Sequence, residues 1–415
     1  MFSKFRSKCL LVALVTLLGF QSSTILAGQE QKKDGILHIL NGSDPSGELL
    51  IRKFSESWRV GGDDGEDFFG MISKVVIGDE GTIYLLDTRL SEIPVYSPDG
   101  ERLTTLSREG EGPGETTTPS NLLFMPDGTL GIVQVFPGKI TKIQVDGTPA
   151  GIIKVGGSDP TSGGFLQVYD CMRSGNDLVI SGESITQAQT SQTRTNFLGV
   201  FDLEGNQKMR LLETPRTLDF TNAKFDETVN FAVDFRKFAI GPDGRTYVAA
   251  FRDQYALKVF LPDGALDRII ERKFESVQRT DAEYNDMKSA MENQIQVPFP
   301  IEITVSRSKP DVTSVEIGPD GNLWVKTSRS GIDQPDGILM TYDIFDLDGH
   351  FISQVAAKCD GDGENDNLIW TPEGDAILVT GYLEAIQSLM GGAGGEVEDQ
   401  DAEPMEVIYL AEIHD

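Results

Sequence analysis

Short runs in which apolar and polar residues alternate recur along most of the chain. One representative set comprises residues 82–86, 93–96 and 102–106, which are separated by short polar stretches. Alternation with a period of two is typical of β-strands that bury one face, and runs of four to six residues have the length of ordinary strands. The pattern therefore predicts an all-β protein.

Turn sequences built around glycine separate these runs in two regular series. Pro242-Asp243-Gly244 is a representative member. Proline fixes φ early in a turn, aspartate accepts hydrogen bonds from the next backbone amides, and glycine adopts positive φ, so the tripeptide predicts a β-hairpin. The first series contains Gly81, Gly128, Gly175, Gly244, Gly321 and Gly374, and the second contains Gly100, Gly147, Gly205, Gly264 and Gly349.

Two hairpin turns per unit predict units of four antiparallel strands, which is the organisation of a propeller blade. The first series predicts six units, at residues 71–107, 119–156, 165–213, 231–273, 312–358 and 365–413. The sixth unit lacks a second turn, so we expect its fourth strand to come from residues 50–60. The sequence thus predicts a six-bladed β-propeller of four-stranded antiparallel blades, closed by an N-terminal strand.

A short helical insertion is predicted between the fourth and fifth blades, within residues 275–311. Thr280 has the position of an N-cap, Tyr284 and Met291 follow at helical spacing, and Pro298 ends the pattern. Its apolar stripe predicts a helix packed on the ring. The alternative is a lid over the mouth of the central channel, on the face where the long insertions fall.

Residues 95–103, followed by the glycine-rich residues 110–115, resemble NHL repeats. More narrowly, the chain is similar to exported bacterial proteins described as six-bladed β-propellers. The resemblance covers most of the chain after its N-terminal segment. It implies a fold and carries almost no information on activity, because one architecture serves many functions.

The N-terminus has the parts of a secretory signal: a basic start, an apolar run over residues 10–20, and Ala27 as a cleavage point. The alternative, a membrane anchor, requires a longer apolar run. The predicted segments are a signal peptide at 1–27, a lead segment at 28–49 and the propeller at 50–415. We expect an exported protein, periplasmic or secreted, without a membrane anchor after cleavage.

The charge balance limits the partners. The chain has 65 acidic and 36 basic residues among 415, a formal net charge of −29. So acidic a surface repels phosphate backbones and anionic lipid heads, which argues against binding to nucleic acid or membranes. A protein or a small-molecule ligand is the expected partner.

Few residues suit nucleophilic or metal chemistry. His38, His350 and His414 lie far apart in the predicted ring, which argues against a histidine zinc site or a Ser-His-Asp triad. Cys171 and Cys359 fall in non-adjacent blades, so free thiols are expected although export would permit a disulfide.

One acidic segment has carboxylates spaced by other residues, as Ca²⁺ coordination requires. The candidate ligands are Asp360, Asp362, Glu364 and Asp366. The bidentate glutamate of an EF-hand is missing, and the other interpretation is an acidic version of the connector between blades. No cofactor other than Ca²⁺ is predicted.

Charged residues near the ends of the second strands are candidate ligand-binding groups on the face of the long insertions. They are Asp87, Arg89, Arg252, Asp253, Lys326 and Arg329. Mixed charges at a channel mouth suit a polar or anionic ligand. The other interpretation is a set of ion pairs that stabilise loop ends.

The sequence predicts an exported binding or interaction propeller without evident catalysis. The alternative is a metal-dependent hydrolase or lactonase with a divalent cation at the central channel. It rests on a resemblance to gluconolactonase-like six-bladed propellers, which hold such a cation with carboxylates and asparagine. The oxygen donors available for that alternative are Glu66, Asp87, Glu115, Asn121 and Asp253.

Overall fold

A computed structural model describes residues 28–62, 65, 67–156, 164–230, 235–295, 301–391 and 404–414. The predicted signal peptide, Glu66 and Pro298 lie outside these residues. Within them the protein is all-β, as predicted, and most of its strands form successive antiparallel sheets. No helix in the described part of the chain is long and apolar enough to cross a membrane.

The first half of the chain contributes an N-terminal segment and three four-stranded sheets. The N-terminal strands are β1 (Gln29–Lys33), β2 (Ile36–Asn41) and β3 (Leu49–Gly61). Sheet 1 contains β4 (Ile72–Ile77), β5 (Ile83–Asp87), β6 (Ile93–Tyr96) and β7 (Arg102–Leu106), with a 3-10 turn at Asp79–Gly81. Sheet 2 contains β8 (Pro119–Phe124), β9 (Leu130–Gln134), β10 (Lys139–Ile143) and β11 (Pro149–Lys154). Sheet 3 contains β12 (Gly164–Ser174), β13 (Asp177–Gln187), β14 (Ser191–Phe201) and β15 (Gln207–Asp219).

The second half contributes three more antiparallel units and the helices. β16 (Ala223–Asp226) and α1 (Glu227–Asn230) precede sheet 4, which contains β17 (Phe238–Ile240), β18 (Thr246–Val248), β19 (Ala256–Phe260) and β20 (Leu266–Arg272). α2 (Asp281–Gln294) and β21 (Ile301–Thr304) precede sheet 5, which contains β22 (Val312–Ile317), β23 (Leu323–Thr327), β24 (Ile338–Phe345) and β25 (Phe351–Lys358). Sheet 6 contains β26 (Asn367–Trp370), β27 (Ala376–Val379) and β28 (Glu406–Glu412), with α3 (Tyr382–Gly391) between its last two strands.

The predicted turns are present, and they require glycine. All eleven glycines of the two series have positive φ, between +61° and +104°. A side chain at such a position is strained, because its Cβ crowds the backbone in the left-handed region. The spacing of these glycines therefore sets the boundaries of the strands.

The N-terminal segment lies along the outer strands of sheets 4, 5 and 6. Residues 54–61 of β3 pair antiparallel with β28, which confirms the predicted pairing with the sixth unit for residues 54–60 of the predicted range 50–60. Residues 49–53 pair parallel with β25, so β3 joins sheets 5 and 6. The predicted lead segment also enters the fold, because β2 pairs parallel with β20 and β1 pairs with β2.

Apolar clusters lie between each sheet and the next. Leu86 and Ile93 of sheet 1, for example, pack with Leu122 and Ile132 of sheet 2. A further cluster joins sheet 6 to sheet 1. Burial of one such side chain stabilises the fold by about 1.5–3 kcal/mol, so these clusters hold the sheets in fixed succession. The first strands of sheets 1 to 5, namely β4, β8, β12, β17 and β22, also contact one another in that order. We call these strands, together with β26 of sheet 6, the innermost strands.

The predicted helical insertion is confirmed as α2. Thr280 is its N-cap, and Thr280 and Glu283 form a reciprocal capping box. α2 contacts α3, a second helix that the sequence did not predict. The two helices come from different insertions, one after sheet 4 and one within sheet 6.

Candidate functional site: a polar ring on the innermost strands

The strand pairing defines equivalent positions in the six sheets. In sheet 1, Ile77 is the last residue of β4 and pairs with Ile83 across the first turn. In sheet 5, the equivalent residue is Ile317, which pairs with Leu323. The corresponding residues in the other sheets are Phe124, Arg173, Ile240 and Trp370. Residues that lie the same number of positions before these six reference residues are therefore equivalent in the six sheets.

The position three residues before this reference is polar in every sheet. The six residues are Lys74, Asn121, Asp170, Lys237, Ser314 and Asn367. The residue paired with this position on the second strand is charged only in sheet 5, where Lys326 lies opposite the small Ser314. We call these seven residues the polar ring. The sequence contains a signal for the polar ring, namely a polar residue four positions before the start of each first turn. The ligand-binding residues predicted above lie instead near the ends of the second strands.

Part of the polar ring borders an inner cavity of about 170 Å³. The cavity is lined by residues of β4, β22, β23 and β26, so innermost strands of sheets 1, 5 and 6 converge there. The polar side chains that line it are those of Ser73, Lys74, Ser314, Glu316, Lys326 and Asn367.

The charged groups of the inner cavity have few protein partners. The Lys326 Nζ atom lies 3.4 Å from the Asn367 Oδ1 atom, a long hydrogen bond. Among the described residues, Lys74 and Glu316 form neither an ion pair nor a side-chain hydrogen bond. Their charges interact only at longer range.

Burial perturbs two of these groups in opposite directions. Burial raises the pKa of the Glu316 carboxyl, and the charges of Lys326 and Lys74 partly offset the increase. Burial lowers the pKa of the Lys326 ammonium, and the charge of Glu316 partly offsets the decrease. Both residues keep some accessible surface, and both line the cavity.

A second set of charges continues around the polar ring. The Asp170 carboxylate accepts hydrogen bonds from the Asn121 side-chain amide and from the Cys171 backbone N–H. Burial raises the Asp170 pKa, while Lys74 and Arg236 lower it. Arg236 also lies 5.6 Å from the centre of the Tyr169 ring. The charges therefore alternate in sign from Lys326 through Glu316, Lys74 and Asp170 to Arg236.

Two residues with strained backbone conformations lie within three residues of the start of an innermost strand. Thr118 precedes β8 with φ +45°, and Phe235 lies just before β17 with φ +52°. Branched and bulky side chains rarely adopt such angles, and strain of this kind concentrates at functional sites. Phe235 precedes Arg236, so its backbone conformation helps to set the direction in which the Arg236 side chain leaves the main chain.

The structure separates the six residues predicted to bind a ligand. Only Lys326 lines the inner cavity. Asp87 is fully buried, and its carboxylate accepts hydrogen bonds from the backbone N–H groups of Gly70, Met71 and Leu90 at 2.7–3.1 Å. Asp87 therefore holds a connector in place. Arg89, two residues beyond it, is exposed.

Arg252 and Asp253 are brought together, but in a different cluster. The Glu227 carboxylate accepts hydrogen bonds from Arg252 at 2.9 Å, from Arg279 at 2.7 and 2.8 Å, and from the Ser306 backbone N–H at 2.9 Å. All three charged side chains are at most 8 % exposed. Asp253 pairs with Arg252 and accepts from the Ser308 hydroxyl. This cluster fastens the insertion that carries α2 and β21.

Arg329 lines a larger cleft of about 390 Å³ between the outer parts of sheets 4 and 5. The polar groups of this cleft are occupied with one another. Asp343 accepts hydrogen bonds from Tyr255, Arg272 and Gln354, each at 2.8 Å, and Arg329 donates to the Glu275 carbonyl at 3.0 Å. The smaller inner cavity is the stronger candidate for a ligand-binding site, because its charged groups lack such hydrogen-bond partners.

The acidic segment predicted to bind Ca²⁺ supports α3. Asp366 accepts hydrogen bonds from the backbone N–H groups of Asp362 at 2.8 Å and Gly381 at 3.0 Å. Asp362 accepts from the Glu364 N–H at 3.0 Å, and the Asn365 side chain accepts from the Glu384 N–H in the first turn of α3. Asp360 is exposed beside them. No three acidic, histidine or cysteine residues in the described ranges are grouped to hold a metal ion.

The oxygen donors of the hydrolase alternative also lie apart. Glu115 accepts from the Gly112 backbone N–H at 2.8 Å and pairs with Arg108. Asn121 belongs to the polar ring and contacts Asp170. Asp87 and Asp253 have the separate partners given above. Cys171 and Cys359 are free thiols, as predicted.

No protein-family model matches the sequence, and no curated protein matches it in sequence. A member of the DUF4221 family from Bacteroides vulgatus has a similar structure, with a TM-score of 0.51, 10% identity, and coverage of 88% of this chain and 99% of that chain. An exported protein from Bacteroides fragilis has a TM-score of 0.46 at 8% identity, covering 88% and 100%. Regucalcin, a calcium-binding protein from Agrobacterium tumefaciens, has a TM-score of 0.41 at 11% identity, covering 87% and 96%. The likeness to the DUF4221-family structure concerns the fold alone: the chain is a β-propeller built mainly from four-stranded antiparallel sheets.

Proposed function

We propose that this chain is an exported six-bladed propeller of the NHL-like type, closed as a ring by β3. We further propose that its inner cavity, at the central channel, binds a small ligand through an anionic group. Closure is supported by the apolar cluster between sheets 6 and 1 and by the pairing of β3 with β28. In this arrangement α2 and α3, which contact each other, lie at one mouth of the proposed channel.

The observation that carries the binding proposal is the state of three charged residues. Lys74, Glu316 and Lys326 line a cavity of about 170 Å³ and, among the described residues, form no ion pairs. Charges withdrawn from bulk water without close partners destabilise a fold, so their presence is explained best by a ligand that completes the site. Ser73, Ser314 and Asn367 add neutral hydrogen-bonding groups to the same wall.

The balance of charge favours an anionic group on that ligand. Two lysines and one carboxylate give the cavity an excess of positive charge within a chain whose formal net charge is −29. A carboxylate between Lys74 and Lys326 would accept charge-assisted hydrogen bonds from both. The hydrolase alternative has no comparable support, because its described oxygen donors each have a separate structural partner.

A thermal-shift panel of small carboxylates tests the proposal. Acetate, propionate, lactate, succinate and β-alanine at millimolar concentration are expected to include at least one compound that raises the melting temperature by about 2 °C or more. Lys326→Met and Lys74→Met should each abolish that increase. Lys208→Met is the matched control, because Lys208 is exposed and pairs with Asp177.

Two outcomes contradict the proposal. One is an increase in melting temperature that is the same in the lysine variants and in the wild type, which would place the binding elsewhere. The other is a melting temperature that no compound of the panel changes.

A further inference from the structure

We infer that the ligand of the inner cavity is a small zwitterion, with an ammonium group that binds Glu316 and a carboxylate that binds Lys74 and Lys326. This inference rests on the proposed function and specifies its ligand class. An amino acid of two to four carbons represents the class. The argument depends on the state of Glu316, the size of the cavity and the charge of the whole chain.

Glu316 requires a donor that the protein does not supply. Its carboxylate lines the cavity and accepts no hydrogen bond from any described residue. The nearby cations, Lys326 and Lys74, act on it through charge only. A carboxylate in this position that bound a purely anionic ligand would lie close to a like charge, which opposes binding. An ammonium group on the ligand removes that repulsion and supplies the missing donor.

Two lysines line the same cavity. Lys326 projects from β23 opposite Ser314, whose small side chain leaves room for it at the level of the polar ring. Lys74 comes from β4, in a different sheet. The cavity therefore presents cationic groups from two sheets and an anionic group from β22, an arrangement that is complementary to a dipolar ligand.

The size of the cavity and the field of the protein favour the same class. A volume of about 170 Å³ holds a molecule of only a few heavy atoms beyond its two charged groups. The formal net charge of −29 repels free anions from the surface, whereas a zwitterion has no net charge and is not repelled at long range. A zwitterion thus reaches the lysines without the electrostatic cost that a simple carboxylate incurs.

Isothermal titration calorimetry with three matched compounds tests the inference. β-Alanine has both charged groups, propionate lacks the ammonium group, and ethylamine lacks the carboxylate. We expect β-alanine to bind the wild-type protein about tenfold more tightly than propionate, and ethylamine to bind more weakly still, because one charge-assisted hydrogen bond contributes about one order of magnitude in affinity.

Glu316→Gln separates the two charges of the ligand. It should weaken β-alanine binding about tenfold and leave propionate binding unchanged or tighter, because a repelling carboxylate has been removed. Glu204→Gln is the matched control: Glu204 is exposed in a hairpin turn, so the same change in net charge should alter neither affinity. The melting temperature of each variant verifies that it is folded.

The possible results distinguish this inference from the proposed function. Equal binding of propionate and β-alanine to the wild type, with dependence on Lys74 and Lys326, would overturn the zwitterion and keep the binding site. The comparison of these two compounds needs no variant, so it holds even if Glu316→Gln does not fold. Absence of binding by all three compounds also overturns the inference, and failure of the whole carboxylate panel overturns the proposed function.

Discussion

Two charged clusters in this protein, one buried and one half-buried beside a cavity, differ in how completely their members are paired. The Glu227 carboxylate accepts four hydrogen bonds, from Arg252, Arg279 and the Ser306 backbone. Glu316 has two lysines nearby and accepts no hydrogen bond from the described residues. The first cluster is complete within the chain and holds an insertion, whereas the second leaves its charges facing a cavity.

The two glutamates also respond oppositely to their surroundings. Burial alone would raise the pKa of Glu227, but the hydrogen bonds from Arg279 and Ser306 and the charges of Arg252 and Arg279 lower it below its usual value. For Glu316, burial outweighs the attraction of Lys326 and Lys74, and the pKa is raised. Buried charge is therefore not by itself a sign of function. The absence of partners beside a cavity is the more informative feature.

The largest expected effect is at the paired cluster. Glu227→Gln should lower the free energy of unfolding by about 3–5 kcal/mol, because it leaves Arg252 and Arg279 buried without a counter-charge. Urea unfolding measures the change. The control is Glu302→Gln, which removes an exposed carboxylate paired with Lys224 and should cost about 0–1 kcal/mol. A Glu227→Gln effect no larger than the control would show that the cluster is not structural.

An intermediate effect is expected at the acidic segment. Asp366→Ala removes the acceptor for the backbone N–H groups of Asp362 and Gly381 and should lower the free energy of unfolding by about 1–3 kcal/mol. Asp360→Ala changes an exposed neighbour and should have little effect. We expect both results to be the same with calcium and with a chelator. Calcium-dependent melting that Asp360→Ala or Asp362→Ala abolishes would instead establish the metal site predicted from the sequence.

A smaller effect is expected at Glu316. Because its folded-state pKa is raised, the ionised carboxylate is disfavoured in the fold, and Glu316→Gln should leave the protein equally stable or stabilise it by about 1 kcal/mol at pH 8. Urea unfolding at that pH gives the value. A loss of 3 kcal/mol or more would mean that Glu316 is satisfied by the protein, and the contrast with Glu227 would disappear.

The pH dependence of the two variants sharpens the comparison. The expected effects are differences in how the free energy of unfolding changes with pH, and they are smaller than the effects above. The stability of the wild type relative to Glu316→Gln should rise as pH falls from the raised folded-state pKa towards the ordinary glutamate value of 4.5. Relative to Glu227→Gln, it should instead fall as pH drops below 4.5, because the Glu227 folded-state pKa is lowered. Urea unfolding between pH 3 and pH 8 checks both, and slopes of the same sign would contradict the account.

The sequence was sufficient for most of the strand order. The eleven turn glycines all have the positive φ that their turns require, and residues 54–60 pair with the last strand as predicted. Both features have signals in the sequence, namely a tripeptide that favours one backbone shape and a unit that lacks a strand. The parallel pairing of β2 with β20 has no such signal, because β20 is already the fourth strand of a complete unit.

The candidate site was only partly accessible from the sequence. Lys326 was identified, but Lys74 and Glu316 look like ordinary solvent-facing residues of alternating strands, and only the convergence of three sheets places them at a cavity. Asp87 was selected for its charge, although that charge binds three backbone N–H groups. Whether a buried charge is paired depends on distant residues, so the distinction between the two clusters requires the structure.

The most direct test of the account is the binding of β-alanine to the wild type and to Lys326→Met, measured by isothermal titration calorimetry at pH 7. The account predicts saturable binding at one site in the wild type and a loss of at least about tenfold in affinity in the variant, since a charge-assisted hydrogen bond is removed. Binding that Lys326→Met leaves unchanged would show that the unpaired charges of the inner cavity do not form the ligand site.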